Sequence, residues 1–175
     1  MHEANMERTE AGLVPAGDGW FILNLRDIAW ETVPGGGTWC GFEAPSSQSR
    51  MLGIGVHVLP PGETPGMYHA ESDQEGFLVL SGECLLIVEG EERRIGPWDY
   101  FHCPPGTAHI TIGAGDEGCA ILMVGTRSPD HTTQYIAEPA AAKYGVAVEV
   151  DTDSSREAYK NRPPIVPAPS PWRES

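Results

Sequence analysis

Between residues 20 and 127 the apolar positions come in short alternating runs, each soon stopped by glycine or proline. Residues 51–59, Met-Leu-Gly-Ile-Gly-Val-His-Val-Leu, alternate as a half-buried strand does and run into the turn Pro60-Pro61-Gly62. Residues 83–89 and 92–95 flank Gly90-Glu91 in the manner of a hairpin. Gly96-Pro97 turns the chain into a strand over 99–103, which Pro104-Pro105-Gly106 ends. Residues 109–112 and 119–125 make two further strands separated by a turn over 113–118. Upstream, 20–24 and 38–43 read as strands, 28–31 as a short turn or edge segment, and 45–49 as a loop. Short strands between Gly/Pro turns, with no helix before residue 136, predict an all-β fold, an antiparallel jelly-roll barrel or sandwich.

The ends read differently. Residues 1–17 are polar and mixed, and are expected to be a flexible N-terminus ahead of a barrel over 18–127. From 128 to 175 the pattern predicts a C-terminal extension with a short helix over 139–145, a strand over 146–150, and a second short helix opened by the capping box Ser154-Ser155-Arg156-Glu157. Residues 161–175 hold five prolines and form an extended arm, either disordered or laid across a surface.

Charge narrows the partners. Eleven basic against 25 acidic side chains give a net −14, which disfavours nucleic acid and anionic membrane. No apolar run approaches a membrane span, and Met1-His2-Glu3-Ala4-Asn5-Met6-Glu7 lacks the features of a signal peptide, so a cytoplasmic location is expected. Cys40, Cys84, Cys103 and Cys119 have no C-x-x-C spacing and are expected as free buried thiols, with Cys103 on the strand that leads to His109.

The chemistry gathers in two stretches, Thr64–Glu83 and Trp98–His109. Residues two apart in a strand share a face, so His69 and Glu71 project together, and Glu75 rejoins them if Ser72–Gln74 keeps the register. His109, after the Pro-x-Gly turn, can bring a second imidazole to the same point from another strand. Two histidines and a carboxylate suit a divalent first-row metal and match the facial arrangement of non-haem iron. Glu71 either adds a fourth ligand, balancing the charge of zinc, iron or manganese, or points to solvent beside Asp73. Without metal the neighbouring carboxylates repel, and one is expected to take up a proton. His57 and His102 read as structural or exposed.

These two stretches resemble the paired motifs of the cupin superfamily. His69, Glu75, Gly82, Pro104, Gly106 and His109 fall at the family's spacing, Glu71 sits where a second histidine is usual, and Trp98 stands at the place of the usual glycine before Asp99. The resemblance covers about residues 50–127. It implies the same β-barrel, in which Phe77, Val79, Phe101, Cys103 and Thr111 line an apolar pocket and Tyr68 and Gln74 supply polar contacts. It also implies a homodimer. The superfamily hosts many chemistries. The expected function is therefore a metal-dependent enzyme on a small molecule, an oxygenase or isomerase, with Glu71 or Glu75 as general base if either is free of metal. The alternative is a non-catalytic module that binds a metal and a small ligand.

Overall fold

The computed structural model describes residues 2–43 and 48–172. Part of the loop expected over 45–49 lies outside the described residues. Among the described residues strand accounts for 46% and helix for 5%, so the fold is mainly β. The elements are, in chain order, β1 (Asn5–Arg8), β2 (Leu13–Ala16), β3 (Trp30–Thr32), β4 (Thr38–Gly41), β5 (Leu52–Leu59), β6 (His69–Glu71), β7 (Glu75–Val88), β8 (Glu91–Ile95), β9 (Tyr100–Cys103), β10 (His109–Thr126), β11 (Thr133–Tyr135), α1 (Pro139–Ala142), α2 (Ser155–Ala158) and β12 (Val166–Ala168). The larger sheet runs β11-β6-β10-β5-β4-β3-β12, with β7 attached to β10 and carrying β8 and β9. It is antiparallel throughout and open, its hydrogen bonding not closing into the expected barrel. No helix among the described residues is long and apolar enough to cross a membrane.

Register assigns the faces. Trp39, His57, Ile121 and Val79 lie directly opposite one another across four strands, as do Gly55, Met123, Phe77 and Phe101, then Gly125, Glu75 and Cys103. This inner face carries the core of Leu59, Phe77, Val79, Cys84, Cys103, Cys119 and Ile121. The opposite face is covered twice. Ile110, Ile112, Leu85 and Ile87 pack under α1 and Val146, while Cys40, Val56 and Leu122 pack under Leu23, Leu25, Ile28 and Trp30 from the N-terminal side and Trp172 from the C-terminal side.

Several expectations need correction. Residues 113–118 are no separate turn, because β10 runs through them with a register shift between Ala114 and Cys119. A side chain at Gly113 or Gly118 would meet the carbonyls of Leu59 and Pro60 at 2.0–2.3 Å, so the glycines serve close backbone packing rather than chain reversal. The hairpin turn is Glu89-Gly90, both left-handed at φ 49° and 77°, one residue earlier than its composition suggested. Residues 20–24 are not a strand. Four apolar residues in a row cannot all face one side of a sheet, Ile22 is left 83% exposed, and Asn24 opens a turn by accepting from the Asp27 and Arg26 amides. Within the segment 1–17, expected as a flexible N-terminus, residues 5–16 form the hairpin β1-β2. Residues 146–150 are likewise not a strand, though the Val146 carbonyl accepts from the Tyr68 amide. The arm is laid down where β12 pairs with β3. Ser154 caps α2 by accepting from the Glu157 amide, as its motif predicted.

Two of the four thiols are not free. Cys84 and Cys119 are joined in a disulfide that closes a 35-residue separation, while Cys40 and Cys103 remain buried thiols. The register shift in β10 sets Cys119 opposite Gly82 on β7, beside Cys84, a proximity that linear spacing cannot reveal. Closing a loop of that length is worth about 2–4 kcal/mol. Urea unfolding of the wild-type chain with excess reductant should therefore show stability lower by about that amount than without it. Equal midpoints, with mass spectrometry finding free thiols in both samples, would contradict the pairing.

Candidate metal centre

His69 and Glu71 stand on β6, which is only three residues long and sits between β10 and β11. The following segment keeps its register through a set of ties. The Ser72 amide donates to the Thr132 carbonyl, Gln74 donates to Thr126 Oγ1, and Asp73 accepts from the Ser128 amide at 2.8 Å and from His131 Nδ1 at 3.1 Å. Glu75 thereby begins β7 on the inner face. His109 begins β10 directly opposite His69, after a turn whose Gly106 amide donates to the Glu71 carbonyl at 2.7 Å.

Ligand atoms of His69, Glu75 and His109 lie within 4.8 Å of one another. His69 Nδ1–H donates to the Met67 carbonyl at 2.6 Å, and His109 Nδ1–H donates to the Thr107 carbonyl at 3.0 Å. In their neutral forms both rings are thus fixed in the tautomer that leaves Nε2 a free lone pair, and a proton taken up by either ring sits on Nε2. His109 Nε2 is 3.4 Å from Glu75 Oε2, a buried oxygen with no hydrogen-bond partner. An orphaned buried carboxylate oxygen facing an imidazole lone pair is costly by itself, and a cation between them removes the cost. The donor set fits a divalent transition metal.

Glu71 is near this trio but outside its mutual reach. Its Oε1 is 3.5 Å from His69 Nε2, and its Oε2 is 3.9 Å from His131 Nε2. Burial pushes Glu75 up to about 7, with the Glu71 charge adding to it. Burial also pushes Glu71 up, but the hydrogen bond from His69 and the charges of the nearby imidazoles outweigh it and hold Glu71 below its usual range. His109 is pushed down to about 4, first by burial. Burial pulls His69 down too, yet the Glu71 hydrogen bond, the Met67 carbonyl and the two carboxylates win and raise it.

These shifts give a pH prediction for protein stripped of metal. Glu75, raised from 4.5 to about 7, contributes stability that is full below its unfolded value and lost as pH climbs through about 7. His109, depressed from 6.5, contributes stability present above 6.5 and lost as pH falls through about 4, and this contribution is common to wild type and a Glu75 variant. Glu75→Gln should therefore gain on metal-free wild type as pH rises from 5 to 8, by on the order of 2 kcal/mol in urea unfolding. A difference that stays flat with pH would contradict the buried-carboxyl assignment.

The cleft beside the trio, about 130 Å³, is lined by Pro65, Gly66, Phe77, Ile110, Thr111, Met123 and Tyr159 together with His69, Glu75 and His109. Of the expected pocket residues, Phe77 and Thr111 line it. Phe101 stands against His109 with ring centroids 5.8 Å apart, and Cys103 Sγ lies 3.4 Å from His109 Nδ1, behind the ring. Val79 is fully buried in the inner core. Tyr68 is turned away: its opposite parity sends it into the outer core, where its hydroxyl accepts from the Gly90 amide. Gln74 is exposed on the turn before Glu75. His102 is exposed. Trp98 holds a left-handed φ of 74° where glycine is usual, so the turn into Asp99 keeps its shape without one.

Three nearby residues had no sequence signal. His131 reaches Glu71 from the tail, Tyr135 stands 6.0 Å from His69 between ring centroids, and Tyr159 accepts from the Met67 amide at the cleft wall. They arrive through the pairing of β11 with β6 and through the packing of α2, neither of which a spacing motif records.

Residues 55–125 match the family described as the cupin domain. The match falls on the segment that carries β5 to β10. The chain is 31% identical over 105 residues to the glucose-6-phosphate isomerase of Pyrococcus horikoshii, and 30% identical over 105 residues to that of Pyrococcus abyssi. Each match covers 53% of this chain and 56% of the relative, so the chain spans little more than half the length of the curated relatives it matches. Among solved structures, a sugar phosphate isomerase of the cupin superfamily from Silicibacter pomeroyi aligns with a TM-score of 0.52 at 19% identity, over 80% of each chain. That likeness is one of fold.

Proposed function

We propose that this cupin domain binds one divalent metal through His69, Glu75 and His109 and acts as an isomerase on a small polyhydroxylated carbonyl compound, a sugar phosphate. One observation carries the reading: two imidazoles tied at Nδ1 to backbone carbonyls present their Nε2 atoms to a buried, unpartnered Glu75 oxygen. The isomerase relatives at 31% and 30% identity support isomerisation among the chemistries such a centre allows. Bound there, zinc, iron or manganese would supply Lewis acidity toward substrate oxygen.

The residues of the chain do the rest. Glu71, a carboxylate left outside the trio, takes the proton from the carbon next to the carbonyl, and the C–H electron pair forms the double bond of an ene-diol. The same carboxyl returns the proton to the neighbouring carbon while the two substrate oxygens exchange one proton, so aldose and ketose interconvert with no net change in atoms or electrons. Phe77, Met123 and Tyr159 keep the cleft wall apolar and exclude water from the carbanionic stage.

The test is to strip the protein, reload it separately with manganese, iron(II) and zinc, and follow glucose 6-phosphate by NMR. Metal-dependent appearance of the ketose phosphate is expected. Stoichiometric metal without interconversion would contradict it. Oxygen uptake with iron(II) would then favour an oxygenase, which the two-histidine, one-carboxylate set also suits, and a ligand retained unchanged would favour a binding module.

A further inference from the structure

Arg162 is a cation without an acid. Arg93, Arg94 and Arg127 are paired with Glu91, Glu83 and Glu43. Arg162, half-buried in a chain of net charge −14, has no carboxylate within 4.0 Å among the described residues, although Glu149, Asp151 and Glu157 line the same cavity. Its guanidinium lies 5.0 Å from the Tyr159 ring centroid and 5.9 Å from that of Trp39, and Nη2 donates to the Pro65 carbonyl at 3.0 Å. One of its five N–H donors is thereby engaged, and the planar fork is held by aromatic surfaces with donors to spare.

A second orphan lies nearby. His57 stands on the inner face of β5, stacked on Trp39 with ring centroids 6.1 Å apart, and its Nδ1 is buried with no hydrogen-bond partner. Burial and then the Arg162 charge push His57 down to about 4, so the imidazole is neutral, and both groups lie against the same Trp39 ring. An unpaired guanidinium and an unpartnered imidazole flanking one tryptophan are two unmet polar demands that a single anion would satisfy.

The position suits a substrate. Arg162 lines a cavity of about 650 Å³ that shares Gly66 and Tyr159 with the cleft at the metal centre, and its carbonyl partner, Pro65, lines that cleft. We propose that Arg162, with His57, anchors an anionic group, phosphate or carboxylate, on the small molecule whose reacting carbons meet His69, Glu75 and His109. This deepens the reading of that centre as catalytic and rests on it.

The test uses metal-free protein, so that its failure is separate from failure of the metal assignment. Inorganic phosphate and acetate are titrated calorimetrically into chelator-treated wild type, Arg162→Gln, Arg162→Lys and His57→Gln at constant ionic strength. Wild type should bind one of the two anions saturably, Arg162→Gln should bind it about 10- to 100-fold more weakly, and Arg162→Lys should fall between them. His57→Gln should weaken it by about 3- to 10-fold while leaving Tm within a few degrees of wild type. Preference for phosphate assigns a phosphate ester and preference for acetate a carboxylate. If wild type binds neither anion, or if Arg162→Gln and His57→Gln both bind as wild type does, the anchor is overturned and Arg162 is only a brace for the Pro65 loop. Arg162→Gln also removes that brace, so should it fail to fold, His57→Gln decides alone.

Discussion

Replacing His109 by alanine is expected to lower the affinity for manganese, iron(II) or zinc by at least about 100-fold. Loss of a group that merely orients a ligand costs about 10- to 100-fold, and His109 is itself one of the three converging donors. Glu75→Ala should behave alike, because it removes the single carboxylate of the trio. The same titrations on His57→Ala and His102→Ala should give wild-type affinity, since His57 stacks on Trp39 on β4 and His102 is exposed on the opposite face of β9. Unchanged affinity in the first pair would remove the centre from these residues. Competition against a chromogenic chelator measures all four.

The second large effect belongs to Glu71. Glu71→Gln should keep full metal content and lower kcat for sugar phosphate isomerisation by about 10²- to 10⁴-fold, the usual contribution of a positioned proton carrier. Glu71 shares a strand face with His69 and keeps its carboxylate form, yet its oxygens fall outside the set that converges with Glu75 and His109. The amide preserves shape and removes the basic oxygen, so retained metal with lost turnover separates a proton-carrying role from a ligating one. Loss of metal comparable to that in His109→Ala would instead make Glu71 the fourth ligand.

The convergence of His69, Glu75 and His109 was legible in the sequence because strand parity and one turn suffice to bring them together. His69 and Glu71 needed only the two-residue period, Glu75 needed a short segment that keeps register, and His109 needed the Pro-x-Gly turn that docks on the Glu71 backbone. The inner-face positions Phe77, Phe101, Cys103 and Thr111 followed from the same parity. Tyr68 had the wrong parity for the cleft and went to the outer core. What the sequence did not disclose depends on long-range packing. The disulfide requires a bulge that shifts β10 against β7, and His131, Tyr135 and Tyr159 enter from a tail whose pairing carries no motif. Residues 20–24 looked like a strand by composition, but only Leu23 of the four consecutive apolar side chains packs on the outer core, and Ile22 is left in solvent.

The most direct measurement is an anomalous difference map from crystals soaked in manganese, collected on wild type and on His69→Ala. The account predicts one strong peak in wild type, bonded at about 2.0–2.3 Å to the Nε2 atoms of His69 and His109 and to a Glu75 oxygen, and no peak there in the variant. A wild-type map without density among these three side chains, or with the ion held by other residues, would contradict it.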